Sequence, residues 1–217
     1  MSQPPLKVAV LASGRGSNLA ALIAARDAGT LPAEFVLVAS DKASAGALRL
    51  AEAAGIPTLA LDPRSYPDRP AFDRELFARI AASGAELLVL AGFMRVIDGA
   101  VVAGWEGRAI NIHPSLLPKY PGLHTHRRCL EAGDAEHGAS VHYVTAELDG
   151  GPVVAQARIP VGAGDTETSL AERLLAEEHK LLPAVVGAIA RGRLRWNGRA
   201  VFDGRPVASP LSLEQLS

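Results

Sequence analysis

Cysteine is nearly absent. The single Cys129 has no partner for an internal disulfide and excludes a Cys-rich metal site, a usage that suits a reducing compartment. No run of 18 apolar residues occurs, so no transmembrane helix is expected. The apolar stretch Val8 to Ala12 is shorter than a signal-peptide core and leads into Gly14 rather than a cleavage site, so it reads as a strand and the chain as cytoplasmic. An excess of charge of either sign is also missing. Lys plus Arg is 22 against 23 for Asp plus Glu, a net charge of −1. Bulk attraction to nucleic acid scales with the phosphates neutralised, so nucleic acid is not an expected partner, and without a transmembrane helix neither is a membrane. No internal repeat is visible, and 21 Gly and 15 Pro among 217 residues are too few for a low-complexity chain. What is there is ordinary globular composition, 48% hydrophobic and 21% charged, which reads as one domain over 1–217.

The first half alternates two patterns. Short apolar runs at Lys7 to Ala12, Phe35 to Ala39, Ile56 to Leu61 and Glu86 to Ala91 read as strands. Between them, Asn18 to Ala28 (capped by Ser17), Ala45 to Ala54 and Pro70 to Ala82 read as helices. Wholly apolar strands alternating with helices predict an α/β fold, a mostly parallel twisted sheet with helices on both faces. After Ala109 the pattern changes. A strand at Ala109 to His113 leads into a Pro-rich loop, Pro114 to Leu123. Strands are predicted at Ser140 to Thr145 and Val153 to Pro160, a long helix at Thr168 to Ala190 kinked at Pro183, and a terminal β-hairpin turning on Asn197-Gly198.

Chemistry enters at Ser13-Gly14-Arg15-Gly16-Ser17-Asn18, which follows a strand and opens a helix. Backbone N–H groups at a helix start converge on one spot and favour an anion, and glycine lets the backbone approach it closely. A tight turn without a ligand is the alternative. A dinucleotide fingerprint would need a third glycine where Leu19 stands, so a single phosphate on a small substrate fits better than NAD. Five of the six histidines, His113, His124, His126, His137 and His142, fall within 30 residues. His124-x-His126 on one face of a strand would be a zinc candidate, but Asn and Ser neighbours are poor zinc ligands, and no metal is expected. Asn111 and His113 stand two apart at the C-terminal end of an apolar strand and share a face, where ligands of parallel sheets bind. An amide N–H and an imidazole suit stabilising and protonating an oxyanion. Asp149, on the Gly-rich turn Asp149-Gly150-Gly151-Pro152, could orient that imidazole or could be an ordinary turn residue. Glu178 lies on an apolar helix stripe with Leu174, Leu181 and Leu182, so it either reaches the surface or meets a polar ligand.

Taken together, these segments resemble the phosphoribosylglycinamide formyltransferases, a family of folate-dependent enzymes of purine synthesis. The resemblance rests on the Ser13–Leu19 loop, on Ala91-Gly92-Phe93-Met94-Arg95, on the long run from Asn111-Ile112-His113 to His124-Thr125-His126, and on Glu136-His137-Gly138 through Leu148-Asp149-Gly150-Gly151-Pro152-Val153. It implies a Rossmann-like formyltransferase fold, with a phosphate-binding half to about residue 105 and a catalytic half beyond it. It implies transfer of a formyl group from 10-formyltetrahydrofolate to the amine of phosphoribosylglycinamide. Asn111, His113 and Asp149 would be the catalytic trio. Gly16, Ser17, Asn18 and Glu178 would hold the ribonucleotide, and Arg69, Met94, Arg95, Val96, Ile97 and Asn111 the folate. Arg15 stands where some members carry Asn. The substrates would be small molecules, and the protein a monomer or homodimer. The wider group includes tRNA formyltransferases with a larger C-terminal domain and formyl-folate hydrolases with an added N-terminal one, and 217 residues are expected to hold neither. A hydrolase using the same trio on water and a non-catalytic phosphosugar-binding protein remain the rivals.

Overall fold

The computed structural model describes residues 4–217. Seven strands form the main sheet in the order β3-β2-β1-β4-β5-β6-β7. They are β1 (Leu6–Leu11), β2 (Ala33–Ser40), β3 (Thr58–Ala60), β4 (Leu87–Leu90), β5 (Ala109–His113), β6 (Glu136–Tyr143) and β7 (Val153–Pro160). The first five pair in parallel, while β6 and β7 are antiparallel to their neighbours. Helices α1 (Ser17–Asp27), α2 (Gly46–Ala53) and the long α6 (Glu167–Ala190) pack with one face. Helices α3 (Arg69–Ala82) and α4 (Gly99–Ala103) cover the other.

The alternation of side chains along a strand is plain in β1. Val8 and Val10 join the core beneath α1 and α6, and Ala9 and Leu11 the core beneath α3. All four are buried, which is why the segment reads as unbroken apolar sequence. Among the described residues no helix is long and apolar enough to cross a membrane.

Several boundaries differ from the sequence reading. Ser17 does not cap α1; Gly16 holds the cap position in a left-handed conformation, φ 85°, and Ser17 is the first helical residue. The strand expected from Ile56 shortens to Thr58–Ala60. Strand β6 begins at Glu136, because a polar, glycine-containing start still pairs its backbone with β7, Glu136 facing Pro160. Helix α6 continues through Pro183, and its start is fixed by a reciprocal Thr166–Ser169 capping box. His124 and His126 do not lie on a strand. His124, at φ 59°, precedes α5 (Thr125–Ala132), which contains His126. The terminal hairpin is a three-stranded sheet of β8 (Leu194–Trp196), β9 (Ala200–Phe202) and β10 (Arg205–Pro206). Its first loop spans residues 197–199, with a left-handed Gly198 but not a left-handed Asn197, so it is not the two-residue turn expected. A short helix α7 (Leu213–Leu216) ends the chain.

His137, near the start of β6, is buried with one ring nitrogen 3.0 Å from Nδ1 of His126. Burial first, and His126 second, lower its pKa to about 4. An imidazole that stays neutral in the folded chain but titrates normally once unfolded removes stability as pH falls. Above the ordinary value near 6.5 it costs nothing. Between there and about pH 4 the unfolded chain gains a proton that the folded one refuses. Denaturant unfolding should therefore lose about 3 kcal/mol of stability across that window, and His137→Gln should flatten the loss. A slope unchanged by the substitution would refute the assignment. Next along the strand, a Cβ on Gly138 would lie 2.2 Å from the Ala157 carbonyl oxygen of β7. Gly138→Ala is expected to cost about 2 kcal/mol by overpacking, readable as a lowered midpoint in thermal unfolding.

Candidate active site

The parallel strand order reverses between β1 and β4, which leaves a crevice beyond their C-terminal ends. The segments singled out in sequence gather at these ends: residues 13–18 follow β1, residues 91–98 follow β4, and Asn111 and His113 end β5. Two bonds lace the first two segments together. The Ser13 amide donates to the Gly92 carbonyl at 3.0 Å, and the Met94 amide donates to Ser13 Oγ at 3.0 Å.

The loop before α1 is built for close approach. No side chain caps the helix, and its first turn carries no acidic residue. Gly16 is required by the fold as well as by any ligand, since a Cβ there would lie 2.7 Å from the Ala47 backbone of α2. Ser17 is half-buried and Asn18 buried, while Arg15 is exposed. Asn18 Nδ2 donates to Glu178 Oε2 at 2.8 Å, which ties α1 to α6. Glu178 is thus partnered inside the protein, not surface-seeking. Burial still raises its pKa, with the Asn18 bond opposing. The Asn18 amide oxygen is buried without a partner.

A cleft opens beside β5. Leu90, Phe93, Val96, Ile97, Val102 and Val144 make its apolar walls, and Arg95, Asn111, His142 and Asp149 bring polar groups to it. The 94–98 segment is held from below by Asp73, a fully buried acid of α3 that accepts the Asp98 amide at 2.8 Å. Two residues of the expected folate set stand apart. Met94 is largely exposed, and Arg69, the first residue of α3, does not line the cleft.

Asp149 is the junction of the polar floor. Its Oδ2 accepts the Gly122 amide at 2.8 Å and lies 3.4 Å from His113 Nδ1. Its Oδ1 lies 3.4 Å from Asn111 Nδ2 and 3.5 Å from His142 Nε2. Burial pushes this carboxyl up, but the charged form of His142, the Gly122 amide and the charged form of His113 together hold it below the ordinary carboxylate value. His142 Nδ1 donates to the Tyr143 carbonyl at 2.9 Å, so its Nε2 is left to accept from Asn111 Nδ2 at 3.0 Å. His113 Nε2 donates to the Tyr120 carbonyl at 2.9 Å, so Nδ1 is the nitrogen turned to Asp149. Burial lowers the His113 pKa, against the upward pull of the Tyr120 carbonyl and Asp149. Both ring nitrogens therefore face acceptors in a site that resists the charge. An imidazole so poised takes up its second proton when negative charge develops nearby.

His142 was not distinguished from the other histidines by sequence reasoning. Its role is visible only in register, because it stands opposite Asn111 across the β5–β6 pair. The Tyr120 carbonyl and the Gly122 amide are backbone groups that no residue type announces.

The chain has relatives among known proteins. A formyl transferase family model matches residues 6–186. The chain is similar to phosphoribosylglycinamide formyltransferase of Escherichia coli K12, 48% identical over 201 residues, covering 92% of this chain and 95% of that protein. It is 46% identical over 197 residues to a trifunctional purine biosynthetic protein, adenosine-3, of Drosophila pseudoobscura pseudoobscura, covering 90% of this chain and 14% of that larger protein. Among solved structures, phosphoribosylglycinamide formyltransferase of Coxiella burnetii superposes with a TM-score of 0.92 at 46% identity, covering 96% of this chain and 99% of that one. A match of this extent places the chain in the formyl transferase family, among its phosphoribosylglycinamide formyltransferases.

Proposed function

We propose that the chain transfers the formyl group of 10-formyltetrahydrofolate to the amine of 5′-phosphoribosylglycinamide, giving the N-formyl product and tetrahydrofolate. The observation that carries the reading is the buried junction in which Asn111, His113 and His142 all meet Asp149 at the floor of an apolar-walled cleft. The amine attacks the formyl carbon, and negative charge collects on the formyl oxygen. Asn111 Nδ2 has one firm bond, to His142, and one long contact, to Asp149. The N–H that makes only this long contact is the one that can turn to the oxyanion. His113 supplies positive charge as it is protonated, held in place by Asp149. One proton leaves the amine, one reaches the leaving nitrogen, and no covalent enzyme intermediate is required.

Gly16, Ser17 and Asn18 would take the phosphate at the start of α1, with Glu178 beside it. Arg95, Val96, Ile97 and Asn111 would line the folate site, with Met94 and Arg69 at its outer margin. The catalytic half, from about residue 106, thus also lends Glu178 to the phosphate-binding half, and the two act as one domain. Small molecules are the partners this reading requires.

Three outcomes separate transfer from its rivals when folate product is assayed with and without the amine acceptor. Transfer needs the acceptor, hydrolysis does not, and a binding protein yields nothing. Asp149→Asn should fold and bind both substrates while turnover drops by roughly 10²-fold or more. Without the carboxylate the His113 pKa falls further, so the rate limb that reports protonated His113 should move to lower pH. Near-normal turnover in a folded Asp149→Asn protein would end this role. Glu178→Gln should raise the KM for the ribonucleotide while thermal stability stays level or improves, because a costly buried charge is removed. An unchanged KM would return Glu178 to a purely structural part.

A further inference from the structure

We propose that Tyr120 and Asp134 are positioning residues for His113, fixing through the Tyr120 carbonyl which ring nitrogen carries the proton. This rests on the catalytic reading of His113 given above. Tyr120 is in the left-handed region at φ 57°, an unfavourable place for a residue with a bulky side chain. Its surroundings hold it there from several sides. The hydroxyl donates to Asp134 Oδ2 at 2.8 Å. Lys119 Nζ binds the same carboxylate at 2.9 Å. The carbonyl just before Tyr120, that of Lys119, accepts from Ser115 Oγ at 2.6 Å. The carbonyl just after, that of Pro121, accepts from Arg128 Nη1 at 2.6 Å, and the Arg128 guanidinium lies over the Tyr120 ring.

The one carbonyl left between these two is the acceptor for His113 Nε2. Asp134 is itself placed by the end of α5, where Gly133 turns left-handed and the Asp134 amide returns to the Cys129 carbonyl. Strain at Tyr120 is thus held by a side-chain anchor on the far side of the loop from the cleft, and neither Tyr120 nor Asp134 lines that cleft. With Nε2–H committed to the carbonyl, the lone pair of the neutral ring is on Nδ1, facing Asp149. Releasing the anchor lets the carbonyl turn away and allows the other tautomer, with the proton on Nδ1.

The charged and titratable groups around the ring are Asp149, His142 and His137 from the sheet side, and His126 and Arg128 from α5. Tyr120→Phe leaves all of them in place, so its effect reads the anchor. In ¹⁵N-histidine NMR of the free protein, neutral His113 should carry its proton on Nε2, and Tyr120→Phe should raise the Nδ1–H fraction. Turnover should fall on the order of tenfold, with the KM for each substrate within about twofold. The rate limb of His113 should move to lower pH. Asp134→Asn, which keeps an acceptor but loses the charge, should show the same changes in smaller degree and serves if Tyr120→Phe fails to fold. An unaltered Nε2–H signature in both variants overturns the proposal, whatever their melting temperatures. A changed tautomer with unchanged turnover overturns it too. Full activity in His113→Ala would instead defeat the catalytic reading, independently of the tautomer result.

Discussion

A single carboxylate, that of Asp149, ties the paired strands β5 and β6 to the Pro-rich loop. Its two oxygens take in the end of β5 through Asn111 and His113, the end of β6 through His142, and the Pro-rich loop through the Gly122 amide. The backbone accepts strain to put it there, for Asp149 sits at φ 50°. The next turn is equally constrained. A side chain on Gly151 would collide with the Tyr143 carbonyl, so the loop can return only along one path. The antiparallel β5–β6 pairing matters for the same reason, since it brings His142 opposite Asn111 and under the carboxylate.

Burial and hydrogen bonding oppose each other in this cluster, and the balance differs by residue. Asp149 has enough partners for its charge to survive burial, while for His113 desolvation outweighs its two acceptors. A fixed negative charge beside an imidazole held neutral is an arrangement that responds to a developing anion instead of carrying standing charge. Such preorganisation in a water-poor floor is where electrostatic stabilisation acts most strongly. The remaining buried acids follow their own local balance. Asp73 has the Asp98 amide but is fully enclosed, and desolvation wins there.

The parallel part of the fold was legible because its strands are buried on both faces and so appear as apolar blocks between helices. Asn111 and His113 were legible because they are polar residues at the end of such a block. The glycine loop was legible as a strand-to-helix turn, though not the capping detail, because Gly16 and Ser17 differ by one position and the cap depends on φ. What escaped had no local signal. Strand β6 starts with Glu136-His137-Gly138, which becomes strand only by pairing with β7. Helix α5 begins after a left-handed His124, so the paired histidines gave no helical period to read. His142 and the Tyr120 carbonyl acquire meaning only through contacts made across the sheet and loop.

The bond between Asn18 and Glu178 spans 160 positions of sequence. The loop after β1 is among the first parts of the chain to be synthesised, yet its buried neighbour belongs to α6 near the other end. A nascent chain can thus assemble the early strands before the buried partner of Asn18 exists. The pair closes only when α6 docks across α1 and the sheet. Anything that binds beside this pair therefore meets it only in the finished protein.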